Sequence, residues 1–251
     1  MLYNAAEFSR LRTIVLSVSG LAWVSLLLGQ GGRNSISPCC LMPGQERSLA
    51  SMLSLNPPAI TALWWLVMLV AMMAPMLISP IYDIYLSSFK RRLIRSVALF
   101  VAGYAALWMA AGVFVWGVEI VALVLMPDSY IPALITGVIA LIWQASPLKQ
   151  KCLNQCHSHG SISAFGAEAD RDALLMGFKH GRWCVGSCWA IMLFPMLLPN
   201  GHFVAMALVT ILMFSERLDR SRIPSWRMRG LEALWTYISF RTRSILRGQS
   251  V

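Results

Sequence analysis

The chain has 251 residues, 57% hydrophobic and 13% charged, against about 25% charged in a soluble domain. Its charges are segregated and leave long uncharged runs, which excludes one soluble globular domain and reads as an all-α polytopic membrane bundle. A net charge of +10 would point to nucleic acid in a soluble protein; here it reflects lysine and arginine gathered on one side of a membrane, so no nucleic-acid partner is expected.

In chain order, about six transmembrane helices are expected, over 13–28, 60–82, 97–118, 130–144, 177–198 and 202–214. The first run lacks a small-residue cleavage site and reads as a retained anchor. A loop over 30–58, rich in Gly, Ser and Pro, contains the vicinal pair Cys39 and Cys40. A basic turn, Lys90, Arg91 and Arg92 with Arg95, follows the second span. Ser146 reads as a helix N-cap and Pro147 as the first helical residue, which starts a short helix carrying Cys152 and Cys156. The polar stretch 161–172 reads as a loop, and Pro199-Asn200-Gly201 as a turn.

Spans four and six are shorter than the roughly 20 helical residues that a hydrocarbon core of about 30 Å requires. Six full crossings are preferred to a re-entrant hairpin around Asn200 because of the charges. With both termini cytoplasmic, inner segments collect Arg10, Arg12, Lys90, Arg91, Arg92, Arg95, Lys149, Lys151, Arg171, Lys179 and Arg182, while outer loops keep Arg33 and Arg47. The bundle is expected over 1–218 and a basic tail over 219–251. In that tail Leu231, Leu234, Trp235 and Ile238 repeat at helical spacing among arginines. They predict an amphipathic interfacial helix over 226–247 that lies on the anionic leaflet of the lipid bilayer.

The chemistry-bearing residues are soft donors. His180, Cys184, Cys188 and Met192 are successive i, i+4 neighbours on the fifth span. The orientation places Cys152 and Cys156 on the same cytoplasmic side, where thiols rather than disulfides are expected. Two Cys pairs at i, i+4 can supply four thiolates to one tetrahedral ion, with His157, His159 and His180 as alternative donors. On the second span Met68, Met72 and Met76 again step by four, and Met72 and Met76 are matched in depth to Met192. Thiolate, imidazole and thioether suit Cu(I) first and zinc second. The ordinary readings stand beside this one: Cys is a common small buried hydrophobe, and a methionine stripe is more often packing. Pro75 removes a backbone hydrogen bond and frees the carbonyl of Ala71. Glu216, at a span end, reads first as an interfacial partner of Arg217 and second as support for the cysteine cluster.

Three segments carry a resemblance: Met72-Met73-Ala74-Pro75-Met76; Ser146-Pro147-Leu148-Lys149 through Cys152 and Cys156; and Gly177 through His180-Gly181, Cys184, Cys188-Trp189-Ala190 and Met192, with Glu216 beyond. The chain resembles the "domain of unknown function 2182" family of predicted metal-binding integral membrane proteins over roughly 55–218. That family usually shows Cys-Cys-Trp where this chain has Ser187-Cys188-Trp189, so one ligand position differs. The resemblance implies a membrane metal-binding protein.

The expected function is to bind a soft metal, and to hand it over, in a bacterial inner membrane, with a metal donor or acceptor protein as partner. The metal residues are Cys152, Cys156, Cys184, Cys188, His180, Met72, Met76 and Met192. The alternatives are a membrane thiol–disulfide oxidoreductase relaying from Cys39 and Cys40, and an assembly subunit with a structural metal. No catalytic group and no nucleotide motif stands out, so binding is expected ahead of enzymatic turnover.

Overall fold

Apolar runs long enough to satisfy their own backbone hydrogen bonds fold as helices, and the described residues contain helices and no strand. The computed structural model describes residues 5–33, 57–89, 91–126, 129–156, 166–219, 221–228, 230 and 239. Its helices are α1 (Ala5–Arg33), α2 (Pro58–Met73), α3 (Ile78–Ser87), α4 (Leu93–Leu125), α5 (Ile131–Ala145), α6 (Pro147–Cys156), α7 (Gly166–Met196) and α8 (His202–Leu218). A 3-10 turn, Ala74–Leu77, joins α2 to α3.

Segments Glu7–Gly29, Pro58–Ser87 and Leu93–Leu125 are long and apolar enough to cross a membrane. The pair Ile131–Ala145 and Pro147–Cys156, bent by 68°, adds a fourth if taken as one broken span. The helices at the expected fifth and sixth spans differ from these: α7 opens on a charged stretch, and α8 has 17 residues. The outward faces are nonetheless apolar. Val204, Leu208 and Ile211 of α8 are exposed, while Met206, Val209 and Met213 are buried.

Two compact units are distinguished by their internal packing: Met1–Asp128 with His159–Gly181, and Ser129–Ser158 with Arg182–Val251. In the first unit Pro75 acts as its sequence dictates. The freed Ala71 carbonyl accepts a 2.7 Å hydrogen bond from the buried Ser19 hydroxyl of α1. Below the break Phe8 meets Tyr82 edge-on at 4.9 Å, and Tyr85 donates to Glu7.

Residues 166–172 are helical, which corrects the loop expected there. Gly166 adopts φ +78°, a conformation that favours glycine, and starts the helix. Ala169 and Ala173, one turn apart, are buried. Arg95 and Arg92 of the basic turn pair with Asp170 at 2.7 and 3.2 Å. A polar composition thus hid a helix whose charges are matched from another element.

The helices α4 and α7 approach backbone to backbone at glycine. A Cβ on Gly177 would lie 2.2 Å from the Phe100 carbonyl oxygen, and one on Gly103 would lie 2.5 Å from that of Leu174. We expect Gly177→Ala to force these helices apart and to cost about 1–3 kcal/mol. The thermal midpoint in detergent reads the loss. Gly20→Ala in α1, where a Cβ meets nothing within 4 Å, should leave the midpoint unchanged or raise it.

Candidate metal site

The second unit is built around the α5–α6 bend. Ser146 leaves the helix at ψ 145°, and its hydroxyl accepts the Lys149 N–H at 3.2 Å, the N-cap its sequence predicts. Pro147 then opens α6 in a new direction. Lys149, Leu153 and Cys156 repeat at i, i+4, i+7 and form the buried face of α6. This face turns toward α7 at Gly186, where an added Cβ would sit 3.1 Å from the Cys152 sulfur. Trp143 secures the same level, donating from its indole to the Gly186 carbonyl at 3.2 Å and meeting Trp189 edge-on at 5.4 Å.

Cys184 and Cys188 lie on α7 with their side chains buried, as does Cys156 on α6, while Cys152 is half-buried. All four are thiols. Cys188 hydrogen-bonds Cys184. Ser187, fully buried between them in sequence, donates to the Cys184 carbonyl at 2.8 Å, and its hydroxyl lies 3.3 Å from the Cys188 sulfur. From the last turn of α8 the Arg217 guanidinium donates to the Cys184 sulfur at 3.2 Å and also hydrogen-bonds Cys156. One cation therefore joins the cysteine pair of α6 to that of α7.

A second charged group lies beside the thiols. Lys149, 1% exposed, pairs with Glu216, 3% exposed, at 2.9 Å. Gln144 completes the set, donating to Glu216 and accepting from Lys149. The partners that the structure gives Glu216 come from α5 and α6 rather than from the membrane surface. Because Glu216 and Arg217 are consecutive, fixing one carboxylate sets the position from which the guanidinium reaches sulfur.

The other residues singled out from the sequence are distributed as follows. Met192 is buried in the second unit. His180 is buried in the first unit between the rings of Phe100 at 6.0 Å and Tyr104 at 5.9 Å. Met72 and Met76 are buried in the first unit, in α2 and in the 3-10 turn. Cys39, Cys40, His157 and His159 lie outside the described residues.

Among the described residues no three His, Cys, Asp or Glu side chains form a group ready to hold a metal ion. This donor set still discriminates between metals. A structural zinc site needs four such donors in a closed tetrahedron. Cu(I) is satisfied by fewer sulfurs, and it accepts thioether as well as thiolate.

Reading single residues out of the sequence missed Arg217 and Lys149. A signal existed for each: Arg217 follows Glu216 at a span end, and Lys149 is one helical turn before the first cysteine of α6.

The fold and donors define the class: an all-helical protein with several apolar spans and a cluster of cysteine thiols. A family model described as PpoB2, copper chaperone, matches residues 62–237, and the chain belongs to this family. Membership supports copper handling and gives no support to zinc. No curated protein and no solved structure matches the chain.

Proposed function

We propose that the chain carries Cu(I) as cargo in a bacterial inner membrane and passes it to a partner protein. Cys184 and Cys188, with Cys156 and Cys152, bind the ion as thiolates. The observation that carries this reading is that the guanidinium of Arg217 reaches one cysteine of each pair, Cys184 of α7 and Cys156 of α6. Thiolates arranged against a cation suit a monovalent soft metal, and the exchange of sulfur donors gives a route for transfer. His180, Met72, Met76 and Met192 are the further donors that the sequence nominates.

Metal analysis of protein purified under reducing conditions tests the reading. Cu(I) bound with sulfur ligation, and accompanied by a full count of reactive thiols after chelation, is the expected result. A protein that takes up no Cu(I), or that cycles a cysteine pair between thiol and disulfide without metal, would sink it.

The topology belongs to the same reading: a bundle over 1–218, six crossings, both ends cytoplasmic and a basic tail over 219–251. The orientation is supported by the lysine and arginine asymmetry, and a membrane bundle, though not its count of crossings, by three to four segments of spanning length. The interfacial helix of the tail falls mainly outside the described residues, and 221–228 are non-helical, so any such helix begins later than 226. Asn154 binds the backbone of Arg222 through both ends of its amide, at 2.7 and 3.3 Å, which ties this segment back to α6. An impermeant thiol reagent applied to intact cells should label Cys39 or Cys40 and spare Cys152. Labelling of Cys152 from outside would reverse the orientation.

A further inference from the structure

The thiol cluster already contains a cation, and that cation belongs to the protein. Arg217 donates to the Cys184 sulfur at 3.2 Å and hydrogen-bonds Cys156 on the other helix. Its position in the last turn of α8 gives a helix-dipole reason for a positive residue there. The dipole gives no reason to aim the charge at sulfur. Cys156, Cys184 and Cys188 are buried, whereas Arg217 is half-buried and so has a path outward. A planar fork with several donors can span two sulfurs from different helices, which a lysine ammonium does poorly. Glu216, the preceding residue, is anchored by Lys149 at 2.9 Å, which fixes the backbone from which Arg217 extends.

We propose that Arg217 is the stand-in cation of the cargo-free site: it holds the thiols of α6 and α7 together, and Cu(I) entry displaces its guanidinium. The inference rests on the reading that Cu(I) binds these cysteines. Copper and guanidinium compete for the same sulfur lone pairs, on Cys184 and Cys156. The arginine then weakens retention and aids release, because its return to sulfur replaces the departing ion. No electron moves in this exchange: as the ion leaves, the Arg217 N–H···S hydrogen bonds to Cys184 and Cys156 re-form, and the released thiolates take up protons from water and return to thiols.

The test compares full-length wild type with Arg217→Gln and Arg217→Lys in detergent, each loaded with Cu(I) and titrated with the soluble chelator bathocuproine disulfonate. Arg217→Gln should bind Cu(I) more tightly by about ten- to a hundredfold, the range expected for one or two charge-assisted hydrogen bonds. Release to the chelator should slow in step. Arg217→Lys, which keeps the charge and loses the fork, should tighten binding less. Copper should also raise the thermal midpoint of Arg217→Gln more than that of wild type, since loading the variant sacrifices no guanidinium bond. An arginine with a purely structural role would instead lower the free and loaded midpoints alike. Unchanged or weaker Cu(I) affinity in Arg217→Gln overturns the proposal while leaving the copper reading intact. If that variant does not fold, unchanged or weaker affinity in Arg217→Lys does the same. Wild-type protein that binds no Cu(I) overturns both.

Discussion

Replacing Cys184 and Cys188 together by serine should abolish Cu(I) binding. A neutral hydroxyl is a poor donor to a soft monovalent ion, and these two thiols are one helical turn apart on α7 and share a hydrogen bond. Serine introduces a confounding cost. Both positions are fully or nearly fully buried, and a buried hydroxyl left without a partner costs about 1–3 kcal/mol. The paired substitution Cys184→Ala and Cys188→Ala removes the same donors without adding a polar group, so loss of copper in both versions isolates ligation from folding. Met192→Leu, a near-isosteric change costing less than about 1.5 kcal/mol, should leave the fold intact. X-ray absorption at the copper edge then shows whether a thioether has left the first shell. Copper bound at wild-type stoichiometry in the serine and alanine double variants would remove these residues from the site.

Local structure was legible in the sequence wherever a single residue dictates its own surroundings. Pro75 has no N–H, so Ala71 must find another donor, and the sequence shows that need; the identity of that donor, Ser19 of α1, comes from tertiary packing. Ser146-Pro147 specifies a helix start, and the cap forms as expected. The i, i+4 cysteines of α6 and α7 were recognisable as pairs for the same reason, since helical spacing is local. Residues 166–172 were misread because polarity alone signals a loop. Their helix depends on Arg92 and Arg95 reaching Asp170 from the basic turn, a contact that no local pattern encodes. Arg217 was hidden by its neighbour: beside Glu216 it reads as half of a surface pair, yet Glu216 is bonded to Lys149 and Arg217 is bonded to sulfur. Choosing among partners requires knowing which helix ends share a level, and the α5–α6 bend of 68° is what brings Lys149 there.

The buried pair at that bend should give the largest stability effect in the molecule. Lys149 and Glu216 are 1% and 3% exposed and 2.9 Å apart, with Gln144 bonded to both. Removing one charge leaves the other desolvated and uncompensated, so Lys149→Met or Glu216→Gln should destabilise by about 3–5 kcal/mol. The thermal midpoint of the purified protein reads this directly. Removing both charges is a different experiment. A buried ion pair gains attraction only after both ions have been desolvated, and an apolar pair of similar volume is often as stable or more so. Lys149→Met combined with Glu216→Met should therefore recover most of the loss. It stops short of wild type by the cost of the two hydrogen bonds that the Gln144 amide loses, about 1–3 kcal/mol. Adding Gln144→Leu should restore the remainder. The pair also joins α6, which carries Cys152 and Cys156, to the turn of α8 that presents Arg217. If position rather than charge is what these residues supply, the restored triple variant should bind Cu(I) as wild type does. A triple variant that folds but has lost copper would instead make the Lys149 and Glu216 charges part of the electrostatics of the thiol site. Single variants as stable as wild type would show that the two ions are solvated despite their burial.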